Sequence, residues 1–369
     1  MLNVPFRLLQ IGMISSVVTL VACSDDNNGL ALQKANDSSA KQAVTAPAAP
    51  AHELEDGSRY SGDLVDGVKQ GQGTYAWPNG DRYIGEWKND LMWGRGSFND
   101  HRGHVYTGEW RNGEFHGSGE YVWPSGSRYT GQFDAGVMHG TGTYKWTDGR
   151  SYQGQFENGL KHGEGTYSWP DGRRYTGSFE QEQRTGYGKM LYPDGEIYQG
   201  EFKDGQPHGK GARTLADGSL YEGIFEQGKV TGEGKLQLPS GEMYSGTFKN
   251  GLPHGKGKKS WPGGNRYEGG FAAGVMDGEG TLTFADGRTY KGDFEKGKRT
   301  GKGTLKWPTG EKYSGEFVAG MREGRGVFTW PDGGKFVGGF QQNALHGRGV
   351  CTTAGVETSC RFDRGARVE

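Results

Sequence analysis

Aromatic and glycine residues alternate with polar residues along most of this chain, in short runs separated by turn residues. Tyr, Gly and Phe take alternate positions in Tyr152–Phe156, and Gly, Gly, Tyr and Trp do so in Gly163–Trp169. Alternate residues of a β-strand share one face of its sheet. Asn158-Gly159 separates the two runs and Pro170-Asp171-Gly172 follows the second, and such residues are typical of tight turns. The pattern therefore predicts a β-hairpin followed by a second turn.

The same hairpin pattern recurs thirteen times, with a step of 23 residues. If the first aromatic residue of each copy is position 0, glycine stands at +2, +11 and +13 in every copy, and +4 is aromatic in all but one, which has Leu64. Stacked hairpins bury their aromatic face against the next unit, so a repeat protein needs no globular core. We number the repeats one to thirteen by their position-0 residues: Tyr60, Tyr83, Tyr106, Tyr129, Tyr152, Tyr175, Tyr198, Tyr221, Tyr244, Tyr267, Tyr290, Tyr313 and Phe336.

The repeat resembles the MORN repeat (membrane occupation and recognition nexus), whose pattern reads Tyr-x-Gly-x-Phe/Trp-x-x-Gly-x-x-x-Gly-x-Gly. The resemblance covers about residues 57–350. It implies an all-β fold, an elongated and twisted single-layer meander of about 13 stacked hairpins. It also implies roles in scaffolding, membrane tethering and self-association, with phospholipid binding proposed for part of the family.

Departures from the pattern are local. Repeat two has Asp90 at +7, where glycine is usual, and Asp100-His101 in place of the Trp-Pro of its second turn. We expect this hairpin to bend differently. Repeat six has Glu182 at +7.

Composition excludes two broad classes of protein. The chain has 369 residues, of which 70 are glycine, 32 % are apolar and 12 % are aromatic. A compact globule needs more aliphatic residues, and a disordered chain has fewer aromatic ones. The formal net charge of −1 gives no electrostatic reason to expect nucleic acid as a partner.

The N-terminal region reads as an export signal followed by a tether. Residues 8–22 are mostly apolar but too short to span a membrane, so we interpret residues 1–22 as a signal peptide. Leu20-Val21-Ala22-Cys23 resembles a bacterial lipobox, which implies an acylated Cys23 and, with Ser24 next, the outer membrane. In the alternative interpretation, Cys23 is an incidental thiol after ordinary cleavage. We predict a disordered tether over 23–52, the hairpin stack over 53–350, and a capping hairpin with a tail over 351–369.

The last two cysteines predict a disulfide. If Gly355-Val356 is the turn of the capping hairpin, Cys351 and Cys360 face each other across it, and an oxidising compartment would join them. The bond would staple the last hairpin at the open edge of the sheet. The alternative is two free thiols.

Two regular rows of side chains are candidates for function. Six histidines stand at +10, but neighbouring units lie about 9–10 Å apart, too far for one metal ion, so we predict neither a metal nor another cofactor. Tryptophans at +17 either plug the hairpin end or present ring faces to a sugar or a partner. The candidate binding surface comprises Trp77, Trp123, Trp146, Trp169, Trp261, Trp307 and Trp330.

No spacing of Ser, His, Asp or Cys points to catalysis, so we expect no enzyme. The sequence predicts an envelope lipoprotein that acts as a scaffold for protein partners or for its own copies, held at the membrane by its lipid. The alternative is a module that binds cell-wall glycan or lipid head groups through the tryptophan row.

Overall fold

A computed structural model describes residues 51–368 of the protein, and its regular secondary structure is entirely β. The all-β prediction is thereby confirmed. The predicted signal peptide, Cys23 and most of the predicted tether lie outside the described residues. The first strand, β1, is His52–Glu53, so ordered structure begins inside the last residues assigned to the tether.

Each repeat supplies one shorter and one longer strand. The shorter strands are β2 Arg59–Val65, β4 Arg82–Lys88, β6 Val105–Arg111, β8 Arg128–Asp134, β10 Ser151–Glu157, β12 Arg174–Glu180, β14 Ile197–Lys203, β16 Leu220–Glu226, β18 Met243–Lys249, β20 Arg266–Ala272, β22 Thr289–Glu295, β24 Lys312–Val318 and β26 Lys335–Gln341. The longer strands are β3 Val68–Ala76, β5 Leu91–Asn99, β7 Glu114–Val122, β9 Val137–Lys145, β11 Leu160–Ser168, β13 Gln183–Leu191, β15 Gln206–Thr214, β17 Lys229–Gln237, β19 Leu252–Ser260, β21 Val275–Thr283, β23 Lys298–Lys306, β25 Met321–Thr329 and β27 Ala344–Thr353. Two further strands follow, β28 Val356–Asp363 and β29 Ala366–Arg367.

The strands form one open antiparallel sheet in chain order. Tyr152 of β10 pairs with Tyr144 of β9 on one side and with Tyr167 of β11 on the other, and this register recurs from repeat to repeat. The outermost strands, β1 and β29, have two residues each. Short outer strands leave few backbone groups free to pair with another chain.

The first turn of each hairpin has two residues in the left-handed region. Asn158 and Gly159 have φ angles of 50° and 79°, as a type I′ turn requires. Asp90 and Glu182 adopt φ angles of 65° and 74° at the second position of the same turn. The substitutions at +7 therefore leave the turn type unchanged.

The second turn is also the same in repeat two as elsewhere. In repeat five, the Trp169 N–H donates to the Arg173 carbonyl at 2.9 Å, and in repeat two the Asp100 N–H donates to the His104 carbonyl at 3.0 Å. The prediction that repeat two bends differently is thus wrong. Its backbone hydrogen bonds reproduce those of the other repeats, and only the side chains differ.

A bulge follows the glycine pair of each hairpin. Gly154 pairs with Gly165, but the next residue, Gln155, pairs with His162. Gly163 lies in the bulge with a φ angle of 56°, which costs glycine little and other residues more. The Gln155 side chain accepts the N–H of Glu164 at 3.3 Å, so a donor left unpaired by the bulge finds a partner.

The core is a single row of tyrosines that lie over the paired glycines. The ring of Tyr152 would lie 2.5 Å from a Cβ placed on Gly165, so only glycine fits there. The Tyr152 hydroxyl donates to the Gln155 carbonyl at 2.9 Å, and its side chain is 0 % exposed. Phe156 and Phe179 of the next repeat then pack edge-on against it, at centroid distances of 5.1 and 5.0 Å. Adjacent repeats are therefore joined by aromatic rings as well as by strand pairing.

The C-terminal hairpin has a different register from the predicted one. Its turn is Ala354-Gly355, with φ angles of 50° and 80°, and Cys351 pairs with Thr358 while Cys360 pairs with Gly349. The prediction that the cysteines are directly opposite is wrong, because the turn lies one residue earlier. They form a disulfide as diagonal neighbours, with Cα atoms 5.9 Å apart. Strand β27 continues through Cys351, past the predicted boundary at residue 350.

Candidate functional site

The sheet has one aromatic face and one polar face. The aromatic face carries the side chains at positions 0, +4, +9, +15 and +17, where the buried residues of the protein are concentrated. The polar face carries the residues between them. Because the sheet is one layer thick, nothing in the described residues packs over the aromatic face. The apolar side chains of the described residues are therefore concentrated on a face that this sheet leaves uncovered.

The tryptophan row lies at one side of the aromatic face, and all seven of its indoles are half-buried. Six of the seven contact a ring at +15, whereas at Trp261 the +15 residues of its own and the next repeat are Lys259 and Leu282. Trp146, for example, lies 4.4 Å from the Tyr144 ring centroid and 5.5 Å from that of Tyr167 in the next repeat. The row is therefore part of a ladder of interleaved rings that joins repeat to repeat, and only part of each indole meets solvent.

In several repeats a cation at +9 covers the ring at +17 of the preceding repeat. The guanidinium of Arg184 lies 5.4 Å from the Trp169 centroid, and Nη2 of Arg184 donates to the Gly205 carbonyl at 2.7 Å. Lys161 takes the same place over Trp146 at 5.6 Å. The equivalent pairs in repeats ten to twelve are Arg299 over Phe284 and Arg322 over Trp307. A cation over a ring face gains electrostatic stabilisation, more so when water is excluded.

These cations lie deep in the face. Burial lowers the pKa of Arg184 below its usual range, while nearby tyrosines, Tyr192 first among them, oppose the shift. Arginine remains charged under such conditions. The guanidinium therefore acts as a fixed positive group that links two aromatic rings and a turn carbonyl.

The ladder is interrupted at repeat two. The residue at +17 is Asp100 instead of an aromatic, and the +9 residues of the next two repeats are the uncharged Phe115 and Met138. Repeats seven and eight also lack a ring at +17, where they have Leu215 and Leu238. A cleft of about 610 Å³ opens at this point on the aromatic face. We call it the Asp100 cleft. Its lining includes Asp100, His104, Phe115, Tyr121, Trp123 and Met138.

Two carboxylates at the mouth of the Asp100 cleft hold the local turns in place. Oδ1 of Asp81 accepts the backbone N–H of His101 at 2.8 Å and lies 2.7 Å from its Nδ1. Oδ1 of Asp100 accepts the N–H groups of Arg102 and His104 at 2.9 and 2.8 Å, and its other oxygen lies 3.9 Å from Nε of Arg102. Both aspartate side chains are mostly buried, at 15 % and 11 % exposed.

The groups around Asp81 keep its carboxylate ionised. Burial by itself raises the pKa of Asp81, but the hydrogen bonds from His101 and Asn79 outweigh it and hold that pKa below the usual range. Burial raises the pKa of Tyr121 to about 12, so this phenol stays neutral, and its oxygen lies 2.9 Å from Nδ1 of His104. The Asp100 cleft thus combines aromatic walls with at least one ionised carboxylate at neutral pH.

The histidine row lies on the polar face, and three of its six members lie near an acid. Nδ1 of His116 is 3.3 Å from Asp134, and Nε2 of His162 is 3.3 Å from Glu157. Between residues 51 and 368 no group of three or more His, Cys, Asp or Glu side chains is placed to hold a metal ion.

The sequence contained the signal for the Asp100 cleft, since Asp100 and His101 are visible departures from the repeat. The effect of these two residues on the surface depends on a contact between neighbouring repeats. The ring at +17 packs against the +15 ring of the next repeat, as Trp77 does on Phe98 at 5.8 Å. Replacing one such ring by Asp100 removes a wall between two repeats, and this could not be derived from the 23-residue period alone.

The repeats match a known family model over most of the described chain. Thirteen segments match the MORN repeat: residues 60–82, 83–103, 106–128, 129–149, 152–173, 175–197, 198–220, 221–243, 244–266, 267–287, 290–312, 313–335 and 336–354. The chain belongs to the MORN-repeat family. MORN repeats are in general modules for interaction with proteins and membrane lipids. In this MORN protein the repeats match without interruption, so repeat two is a true copy despite its substitutions.

Comparison with solved structures returns distant likenesses. The TCP10 domain of Danio rerio CPAP, in complex with a STIL peptide, is 14 % identical over 73 % of this chain and 99 % of that chain, with a TM-score of 0.21. The SAS-4 (dCPAP) TCP domain of Drosophila melanogaster, in complex with a proline-rich motif of Ana2, is 14 % identical over 56 % and 99 % of the two chains, with a TM-score of 0.25. Overlap this weak carries no argument about function. No curated protein matches the chain.

The residues in 51–368 include no helix with the length and apolar character needed to cross a membrane.

Proposed function

We propose that this MORN protein is a non-catalytic lipoprotein of the bacterial outer membrane, anchored through lipid on Cys23, which presents its aromatic face to protein partners. The observation that carries the proposal is the face itself. A ladder of half-exposed rings runs along a single-layer sheet, with no second layer among the described residues to cover it.

The repetition of the face explains how such a protein could bind firmly. Neighbouring repeats present similar rings at a regular spacing, as Trp123, Trp146 and Trp169 do. A partner that spans several repeats makes several weak contacts at once, and their combined affinity can exceed each one by orders of magnitude. The proposed mechanism is thus geometric and requires no reacting group.

The proposed location is supported by two independent features. The segment Leu20-Val21-Ala22-Cys23 has the form of a lipobox. At the other end of the chain, the disulfide between Cys351 and Cys360 is of a kind that persists in exported proteins and is rare in the bacterial cytosol.

A protein partner is favoured over a glycan for the tryptophan row. Stacking on sugar needs a free ring face, whereas Trp146 already contacts Tyr144, Tyr167 and the cations of Arg150 and Lys161. A partner protein can instead pack along the ring edges that remain in solvent.

The anchor is tested by metabolic labelling with an alkyne analogue of a fatty acid. We expect the wild-type protein to take up the label and to sediment with membranes, and Cys23→Ser to lose both properties. The matched control is the double substitution of Cys351 and Cys360 by serine, which should keep the label. Equal labelling of Cys23→Ser would contradict the anchor.

The partner class is tested by photo-crosslinking in intact cells. A benzophenone amino acid replaces Trp146 on the aromatic face or, as control, Tyr187, which is 60 % exposed and lies on the polar face. We expect the Trp146 position to capture protein and the Tyr187 position to capture far less. Capture of cell-wall fragments at Trp146 would support the glycan alternative instead.

A further inference from the structure

The polar face of repeats ten to twelve carries a groove of about 1130 Å³ that crosses strands β21 to β25. We call it the lysine groove. Within residues 51–368, its lining includes no aromatic or aliphatic side chain. Apart from glycines, it is lined by the cations Lys291, Lys302, Lys306, Lys312 and Arg325, the acids Glu279, Asp293 and Glu316, and the hydroxyl residues Thr281, Thr289, Thr304 and Ser314.

The acids lie at one end of the lysine groove, towards the first turns of the hairpins. There Lys302 is directly opposite Glu316, so a charge of each sign is present. Oδ2 of Asp293 accepts the backbone N–H of Lys302 at 3.2 Å, and this carboxylate therefore already has a partner in the bulge.

The other end of the groove, next to the second turns, is positive. Lys306 and Lys312 are directly opposite each other on β23 and β24, and both side chains are exposed. Like charges in directly opposite positions destabilise a sheet. The register places no carboxylate beside this pair on the polar face. The neighbouring positions hold Thr289, Lys291, Thr304, Ser314, Val327 and Thr329.

A second pair of cations shows how the chain compensates the same arrangement elsewhere. Arg128 and Lys145 are directly opposite each other in repeat four, at the same two positions of the 23-residue unit. There, Nη1 of Arg128 lies 2.9 Å from Oε1 of Glu120. In the part of the chain that the structure describes, neither Lys306 nor Lys312 forms an ion pair. Their charge is therefore available to an anion from outside.

The surrounding sequence adds to the positive field. Residues 251–350 contain 16 Lys and Arg residues but only 10 Asp and Glu residues, although the formal net charge of the whole chain is −1. A groove lined by one sign of charge concentrates the electric field and attracts ligands of the opposite sign.

The other lining residues narrow the class of anion. Proteins that bind single-stranded nucleic acid stack its bases on aromatic rings, and protein partners are held mainly by apolar and aromatic anchors, neither of which the lysine groove could receive. Hydroxyl side chains both donate and accept hydrogen bonds, as the hydroxyls of a sugar do. Oγ1 of Thr304 lies 3.1 Å from Oγ of Ser314, beside the lysine pair.

From these observations we infer that the lysine groove binds an anionic polysaccharide, a chain of sugars that carries carboxylate or phosphate groups. Lys306 and Lys312 pair with its anionic groups, and Thr304 and Ser314 contact its hydroxyls. Lys291 and Lys312 lie two strands apart, about 10 Å, so the contact extends over more than one sugar. The polar face is opposite the aromatic face, so this site is separate from the proposed protein-binding surface and can fail without affecting it.

The site is tested with the double variant Lys306→Gln, Lys312→Gln. The matched control is Arg128→Gln, Lys145→Gln, which removes the same charge from the same two positions of the unit at the pair that Glu120 compensates. All four side chains are exposed, so both variants should remain folded, and circular dichroism checks this.

The probe is polygalacturonic acid, a linear sugar polymer with a carboxylate on each sugar. Its methyl ester has the same sugars without the charge. Binding to the full protein, purified in neutral detergent, is followed by calorimetry at low ionic strength. We expect the acid to bind at least about tenfold more tightly than the ester, and added salt to weaken its binding. The lysine variant should bind the acid about tenfold more weakly than the wild type, and the control variant should stay within about twofold.

Two further probes distinguish other sources of negative charge. Poly-aspartate represents an acidic protein segment, and glycerophosphoglycerol is the free head group of an anionic lipid. Both should bind more weakly than polygalacturonic acid. The inference would be overturned if either bound as tightly, if the wild type did not bind the acid or bound its ester equally well, or if the two variants lost the same affinity.

Discussion

Repeats five and six differ from repeats three and four in how the aromatic face is closed, although the backbone is the same in both regions. In the first region, Lys161 and Arg184 lie over Trp146 and Trp169 and complete the ladder. In the second, Phe115 and Met138 take their places next to Asp100, and the face opens into a cleft.

The comparison separates two tasks within each repeat. Positions 0, +2 and +13 build the sheet, because the tyrosine ring must lie over two glycines. Positions +9 and +17 decide what covers the rings, and they vary without disturbing the turns. A repeat protein of this kind can therefore change its surface at one place while it keeps its fold.

Alkaline pH should affect both regions strongly, since both depend on buried phenols. Burial raises the pKa of Tyr175, in the closed region, and of Tyr121, in the cleft, to about 12 in each case. The folded-state pKa lies above the unfolded value of 10.0, so the phenols contribute unchanged stability below pH 10 and lose it as the pH rises towards 12. Other buried tyrosines with pKa values of about 12 add to the effect: Tyr60, Tyr244, Tyr267, Tyr290 and Tyr313.

This prediction is checked by following phenolate absorbance and circular dichroism together. Ionisation of the buried tyrosines should coincide with loss of β structure. Complete ionisation near pH 10 with the sheet intact would show that burial does not hold these phenols neutral.

Removing one position-0 ring should have the largest effect of any single substitution. Tyr152→Ala and Tyr106→Ala each delete a 0 % exposed ring, and we expect a loss of about 3–5 kcal/mol in the free energy of unfolding. The two losses should agree within about 1 kcal/mol, because the ring lies over paired glycines in both regions. Urea denaturation measures both; a much smaller loss at Tyr106 would mean that the cleft weakens the sheet itself.

Exchanging the +9 residues of the two regions should have a moderate effect. Arg184→Met removes a hydrogen bond to Gly205 and a contact with Trp169 but also relieves the burial of a charge, so we expect a net loss of about 1 kcal/mol. Met138→Arg, the reverse change, should alter stability by less than about 1 kcal/mol. Urea denaturation of both variants tests the two expectations. If each variant lost more than about 3 kcal/mol in the free energy of unfolding, the side chain at +9 would do more than cover the aromatic face.

The smallest effect is expected at the first turn of repeat six. The Glu182 carboxylate accepts the Lys161 N–H at 2.7 Å and pairs with its ammonium, but Glu182 has a φ angle of 74°, which glycine tolerates better. Glu182→Gly loses the carboxylate contacts but relieves the backbone strain. Because these two effects oppose each other, its free energy of unfolding should stay within about 1 kcal/mol of that of the wild type. Glu182→Ala loses the carboxylate without that relief and should be less stable than Glu182→Gly in the same denaturation assay.

Much of the fold could be predicted because the 23-residue step repeats its own signals. Asn158-Gly159 predicts the two-residue turn, and the alternation around Tyr152 predicts which side chains share a face. The register of the last hairpin could not be predicted in the same way. Turns at Ala354-Gly355 and at Gly355-Val356 both bring the cysteines near each other, and only the pairing of β27 with β28 selects the first.

By itself, the sequence determined the local geometry of this protein, namely the number of hairpins, their turns and the glycines beneath each tyrosine, because these depend on residues within one repeat. Tertiary structure alone decided how the aromatic face is covered. A ring at +17 meets a cation and a second ring that belong to the following repeat, so the effect of Asp100 appears only when three hairpins are placed side by side. Contacts between units, unlike turns, have no signature in the residues of a single unit.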